Sequence, residues 1–130
     1  PKIQAAIHHA EEVTASGNRM ILNIALNYGG RDEIVRAARK IAAAAAAGTQ
    51  KIEAIDEAAF AAYLDMGDLP EVDLIIRPSG EMRLSNFMLW ESAYAELWFS
   101  DICWPDFRPK DMQQAILDYQ NRDRRFGGVK

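Results

Sequence analysis

Val72-Asp-Leu-Ile-Ile-Arg77-Pro-Ser-Gly80-Glu-Met-Arg83-Leu-Ser85-Asn-Phe87 is the stretch whose reading decides the fold. Leu74 to Ile76 is an apolar run of the kind that forms a buried strand, and it stops at Arg77. Pro78, Ser79 and Gly80 then force a loop. Glu81, Arg83 and Ser85 follow within a few residues. Two guanidinium forks, a hydroxyl and a glycine at the end of a strand suit an anion, because the forks pair with phosphate oxygens two at a time. Ligands of α/β folds sit at the ends of parallel strands. A salt-bridged surface loop uses the same residue types, so the residues alone leave both readings open.

The segments around this stretch set the class. Ile3, Ala6, Ile7, Ala10 and Val13 have helical spacing, with a stop at Gly17-Asn18. His8 and His9 are adjacent, diverge around that helix and make a poor metal pair, so they read as exposed structural residues. Met20 to Leu26 reads as a buried strand that breaks at Asn27-Tyr28-Gly29-Gly30. Asp32 is placed to cap the next helix, which should bury Ile34, Ala38, Ile41 and Ala45 before ending at Gly48. The Tyr28 to Arg31 turn precedes a helix N-terminus, which attracts anions, although paired glycines also serve tight packing. Thr49 to Met66 reads as a connection and a short helix with Ile55, Ala58, Ala59 and Ala62 inward. A helix is predicted from Ser85 to Ser92, and a strand from Glu96 to Phe99. Pro109 and Asp111 open a last helix with Met112, Ala115, Ile116 and Tyr119 on one face. Strands near Met20–Leu26, Val72–Ile76 and Leu97–Phe99 should therefore lie in one parallel sheet with helices on both faces, an α/β fold. No repeat or linker divides the chain, so residues 1–130 read as a single domain.

Composition narrows the functions. The formal charge of −4 argues against a general nucleic-acid surface, although Arg122, Arg124 and Arg125 crowd the C-terminus. The single cysteine, Cys103, excludes an internal disulfide and a multi-cysteine zinc site, and between Ile102 and Trp104 it reads as a buried apolar residue. No apolar run approaches the ~20 residues of a membrane span. A cytoplasmic or membrane-peripheral setting is expected. Pro1 as the first residue suggests that the natural start has been lost.

Leu22 to Arg31, Asp73 to Arg77, Gly80-Glu81, Arg83, Ser85-Asn86-Phe87, Leu89-Trp90, Ala93 to Leu97, Trp104 to Phe107, Asn121-Arg122 and Arg124 to Gly128 form a set of blocks. Together they resemble the cis-prenyltransferases, especially bacterial undecaprenyl diphosphate synthases. The resemblance implies the C-terminal portion of that fold. The Asp-Gly-Asn-Gly-Arg-Trp motif that carries the family's essential aspartate does not occur, so no catalytic residue is identified and no activity is expected of the chain alone.

The family joins isopentenyl diphosphate to an allylic diphosphate with a new cis double bond, producing polyprenyl diphosphates that serve as lipid carriers in cell-wall synthesis. The resemblance places Arg77, Arg83 and Ser85 on the diphosphate of isopentenyl diphosphate, Glu96 on Mg²⁺, and Glu81 as support for the arginines. It places Asn27 and Arg31 beside the site. It implies a homodimer built from Val72–Phe107, in which Arg125 and Gly127 of the tail reach the neighbouring subunit's site. Contact with a membrane would come only through the lipid product. Pro78-Ser79 and Met82 depart from the family pattern; Met82 stands where His or Gln is usual. A non-catalytic diphosphate-binding or dimerising subunit is the second reading, and an unrelated α/β phosphate-binding domain the third.

Overall fold

In the computed structural model, which describes residues 2–123, β1 (Leu74–Arg77) and β2 (Glu96–Phe99) form a two-stranded parallel sheet. Leu74 stands opposite Glu96, and Arg77 opposite Phe99. Four helices accompany them: α1 (Lys2–Thr14), α2 (Gly30–Ala46), α3 (Glu57–Ala61) and α4 (Pro109–Gln120). The parallel α/β character read from the chain is present, and the two strands fall where the apolar runs put them.

The ends of the helices follow from local chemistry. Pro109 opens α4, where its missing N–H costs nothing. The Asp111 carboxylate accepts from the Arg108 N–H at 2.7 Å. Asp56 caps α3 by accepting from the Ala59 N–H at 2.7 Å. For α2 the expected cap is not the one used. Gly29 is the N-cap, and Asp32 lies within the first turn, where it accepts from Arg36 Nε at 2.7 Å.

The core is small: Ala37, Ile41, Leu64, Ile75 and Ala115 are buried, together with one charged residue, Glu33. The inward face of α2 is rotated from the expected one. Ala37 and Glu33 are buried, whereas Ala38 is exposed and Ile34 half-buried. Near α3, Leu64 is buried while Ile55, Ala58 and Ala62 are exposed. Met112 and Ile116 of α4 are exposed, and Ala115 alone is fully covered.

Three further expectations are corrected. Met20–Leu26 is not a strand; Met20, Ile21 and Leu22 are 74–79% exposed. An apolar run becomes a strand only where another strand takes its backbone hydrogen bonds, and among the described residues β1 and β2 pair only with each other. Ser85–Ser92 is a chain of turns and not a helix. Ser85, Asn86 and Met88 have φ of 49°, 66° and 50°, the left-handed region, and three such residues break any right-handed helix. Cys103 is exposed, ahead of a short 3-10 turn at Trp104–Asp106 where Trp104 stacks on Phe107. The α1 face of Ile3, Ile7 and Val13 is exposed as well, and His8 lies 3.4 Å from the Glu11 carboxylate in open solvent.

Candidate anion-binding site

Arg77 is the last residue of β1, and the chain turns away from the sheet immediately after it. Ser79 and Gly80 both take positive φ, 79° and 71°. The Ser79 N–H donates to the Ile102 carbonyl and the Gly80 N–H to the Ser100 carbonyl, each at 2.8 Å. The turn is thus tied to the segment after β2, and these two backbone donors are spent internally.

What the turn presents is side chains. Arg77 Nη2 donates to Glu81 Oε2 at 2.5 Å, and Arg77 Nη1 donates to the Arg83 carbonyl. Arg83 Nη2 meets the same Glu81 oxygen at 2.5 Å, and Arg83 Nε donates to Ser85 Oγ at 3.1 Å. One carboxylate therefore holds two guanidinium groups, leaving the cluster with a net positive charge. The hydrogen bond from Arg77, followed by the charge of Arg83, holds the Glu81 carboxyl below its ordinary range. Arg77 is the more covered arginine and Arg83 the more exposed. Below them lies a cleft of about 160 Å³ lined by Ile75, Leu84, Phe87 and Phe99 together with the two arginines. A floor without competing charge and two oriented forks can receive a multiply charged oxyanion.

The adjoining wall is the start of α2. Gly30 N–H donates to the Asn86 carbonyl at 2.7 Å, and Arg31 N–H donates to Asn86 Oδ1 at 2.9 Å. Asn86 thus supplies the cap that Gly29 lacks, from 55 residues away. Its left-handed backbone aims both oxygens at the helix end. The helix N-terminus suggested as an anion attractor already has these two donors engaged. Arg31 sits at this junction, and Asn27, with φ of 53°, makes the bend that leads into it. Sequence reasoning placed Asn86 in a family block without a role; its pairing with a glycine-capped helix could not be read from spacing.

The structure brings together Arg77, Glu81, Arg83 and Ser85, with Arg31 behind them through Asn86. It does not bring Glu96 to them. Glu96 begins β2 opposite Leu74, three positions from the Arg77–Phe99 pair, roughly 10 Å along a strand. Its Oε2 accepts from Arg122 Nη1 at 2.6 Å, and the same nitrogen donates to the Leu97 carbonyl at 3.0 Å. No group of three metal-ligating side chains occurs among the described residues. A single carboxylate already paired with arginine does not by itself fit Mg²⁺, which takes oxygen ligands in near-octahedral array. Met82 is 78% exposed and adds no hard ligand. Arg125 and Gly127 lie outside the described residues.

A second cluster, not read from the sequence, lies on the far side of α2's first turn. Glu33 is 1% exposed; it accepts from the Tyr28 hydroxyl through Oε2 and from the Asp65 N–H at 2.9 Å through Oε1. Burial, followed by the bond to Glu33, holds the Tyr28 hydroxyl far above its ordinary pKa. Asp65 is gripped by both ends of the Arg36 fork at 2.6 Å, which holds its carboxyl below the usual range.

A family model described as "Putative undecaprenyl diphosphate synthase" matches residues 1–127. The chain is 59% identical over 117 residues to an isoprenyl transferase of Heliobacterium mobile, covering 90% of this chain and 45% of that protein. It is 49% identical over 126 residues to a ditrans,polycis-undecaprenyl-diphosphate synthase of Vibrio vulnificus, covering 97% of this chain and 50% of that one. Among solved structures it superimposes on lavandulyl diphosphate synthase from Lavandula x intermedia, crystallised with dimethylallyl diphosphate. The TM-score is 0.92 at 40% identity, covering 98% of this chain and 56% of that one. The chain spans about half the length of the curated relatives it matches.

Proposed function

Because this chain belongs to the undecaprenyl diphosphate synthase family of prenyltransferases, we propose that it supplies the isopentenyl-diphosphate half of a cis-prenyl-transfer site. The observation that carries this reading is the Arg77–Glu81–Arg83–Ser85 cluster at the C-terminal end of β1. The two guanidinium groups bind the diphosphate of isopentenyl diphosphate, and the Ser85 hydroxyl offers a further donor. Glu81 orients both forks, so little reorganisation is needed when the anion arrives. The reaction joins isopentenyl diphosphate to an allylic diphosphate with a new cis double bond, giving a polyprenyl diphosphate for use as a cell-wall lipid carrier.

Glu96 is this chain's contribution to a Mg²⁺ site that other residues must complete, and Mg²⁺ when bound would offset diphosphate charge. The distance of Glu96 from Arg77 suits a shared-site homodimer, in which one copy's β2 end and its Arg125–Gly127 tail approach the partner's cluster. The Val72–Phe107 region has the exposed aromatics for such an interface: Tyr94 and Trp104 are 66% and 68% exposed. Trp98 is not among them, since its Nε1 donates to Asp118 Oδ2 at 2.7 Å within the chain. No helix among the described residues is long and apolar enough to cross a membrane. A cytoplasmic protein that meets the membrane only through its lipid product is the proposed setting.

The engagement of Glu96 by Arg122 within this chain favours a second reading for the chain by itself: a diphosphate-binding or dimerising subunit without turnover. Calorimetric titration with isopentenyl diphosphate tests the first step. Binding that Arg83→Ala abolishes supports the site; equal binding by Arg83→Ala and the unsubstituted chain removes it. Incubation with farnesyl diphosphate, labelled isopentenyl diphosphate and Mg²⁺ should give no lipid-soluble label. Robust turnover by this polypeptide alone would overturn the non-catalytic reading.

A further inference from the structure

Glu91 follows the turns that carry Ser85 and Asn86, and both of its carboxyl oxygens are sealed from solvent with no hydrogen-bond donor among the described residues. The group beside it is another carboxyl, Glu33. Both Glu33 oxygens already accept hydrogen bonds, one from Tyr28 and one from Asp65 N–H. Two carboxylates side by side and shielded from solvent, one of them without a side-chain donor among the described residues, are not a stable arrangement. One proton between them resolves it.

We propose that Glu91 is protonated and donates to Glu33, so that the pair shares one proton and forms a pH-sensitive latch between the first turn of α2 and the Ser85–Glu91 segment. Neither carboxylate forms a salt bridge among the described residues, and the nearby cations, Arg36 and Lys40, act on Asp65. From the turn before α2 comes the Tyr28 hydroxyl, already bonded to Glu33. From the segment after α3 comes Asp65, a further negative charge. Arg36, one turn along α2 from Asp32, has its fork committed to Asp32 and Asp65. Glu57 and Glu71 line the cavity of about 670 Å³ that Glu91 also borders, and they add only negative charge. Burial, with the charges of Glu33 and Asp65 added, accordingly holds the Glu91 carboxyl above its ordinary range.

The latch has a consequence at the anion cluster. On the same segment, Asn86 caps α2 and Ser85 accepts from Arg83. When the shared proton leaves, two like charges face each other across this joint. The joint then opens, and the Ser85 hydroxyl loses its fixed position. This mechanism uses no ligand and stands apart from the proposed reaction.

Two measurements decide it. Infrared spectra of the chain labelled with ¹³C-glutamate, followed through a pH titration, should show a protonated-carboxyl band that persists above the pH at which ordinary glutamates ionise and that Glu91→Gln removes. A spectrum of the unsubstituted chain with no such band overturns the proposal, whether or not the variant folds. Stability should also fall as pH rises from the ordinary glutamate range to the raised value of Glu91, because the folded state binds the extra proton in that window. The folding constant should drop by up to about tenfold per pH unit, the limit for one proton. Glu91→Gln supplies a donor without the titration and should flatten that slope. A slope in Glu91→Gln equal to that of the unsubstituted chain overturns the latch.

Discussion

Gly30→Ala tests the joint between α2 and the anion cluster most directly. Gly30 is buried, and a Cβ placed on it would lie 2.9 Å from Leu89 Cγ, 3.1 Å from Leu89 N and 3.2 Å from the Asn86 carbonyl oxygen. Ordinary carbon–carbon contact is about 3.5–4.0 Å, so Leu89 must retreat by roughly 0.6–1.1 Å. Two of the three obstacles are backbone atoms, which cannot swing aside as a side-chain tip would. Overpacking of this kind costs about 1–3 kcal/mol. Replacing glycine returns about 0.4–1 kcal/mol by restricting the unfolded chain. A net loss of about 1–2 kcal/mol is expected, with part of it appearing as weakened capping by Asn86. Urea denaturation measures it as a lower midpoint at unchanged slope. Gly48→Ala serves as the control: it faces open space, so its cost is the strain of φ 74° alone, without effect on the anion site. Calorimetry with inorganic pyrophosphate should then show weaker binding for Gly30→Ala and unchanged binding for Gly48→Ala. A Gly30→Ala chain as stable as its parent, with equal pyrophosphate affinity, would refute the claim that this contact sets the position of Asn86 and Ser85.

Three other outcomes follow from the geometry. Glu81→Gln makes the cluster more positive yet releases both forks, and pyrophosphate affinity should fall about tenfold, as it does when an orienting partner is lost; a rise in affinity would show that Glu81 competes with the anion instead. Asp65, Glu81 and Asp118 are all held below the usual carboxylate range by Arg36, Arg77 and Trp98 respectively, so their contributions are present above the unfolded pKa and are lost as pH falls through the lowered folded values. Arg36→Gln should therefore flatten the acid limb of a stability–pH curve, and an unchanged limb would show that Asp65 does not contribute. Trp98→Phe keeps the ring but removes the Nε1 donor to Asp118, and the Asp118 carboxyl should move back towards its ordinary pKa, read by NMR titration; no movement would assign the lowering to Gln114 and Arg122.

Spacing and residue type determined a good deal of this protein. The apolar run ending at Arg77, the Pro78–Gly80 turn, the two arginines and Ser85 are local features, and a local reading placed them together. The same is true of α4, whose proline and Asp111 carry their own start signal, and of the run at Glu96–Phe99. The tertiary structure decided what depends on a distant partner. Met20–Leu26 has a strand's composition, yet a strand is a property of a pair, and no described segment pairs with it. Ser85–Ser92 has a helix's apolar spacing, but Asn86 turns left-handed to satisfy the backbone of α2. Glu96 carries the residue type of a metal ligand, while its nearest cation is Arg122, 26 residues on, and its strand register sets it apart from the arginines. Glu33 and Glu91 look like surface acids in a line of sequence. Only packing seals them together, and burial is what turns two ordinary carboxyls into a pair that must share a proton.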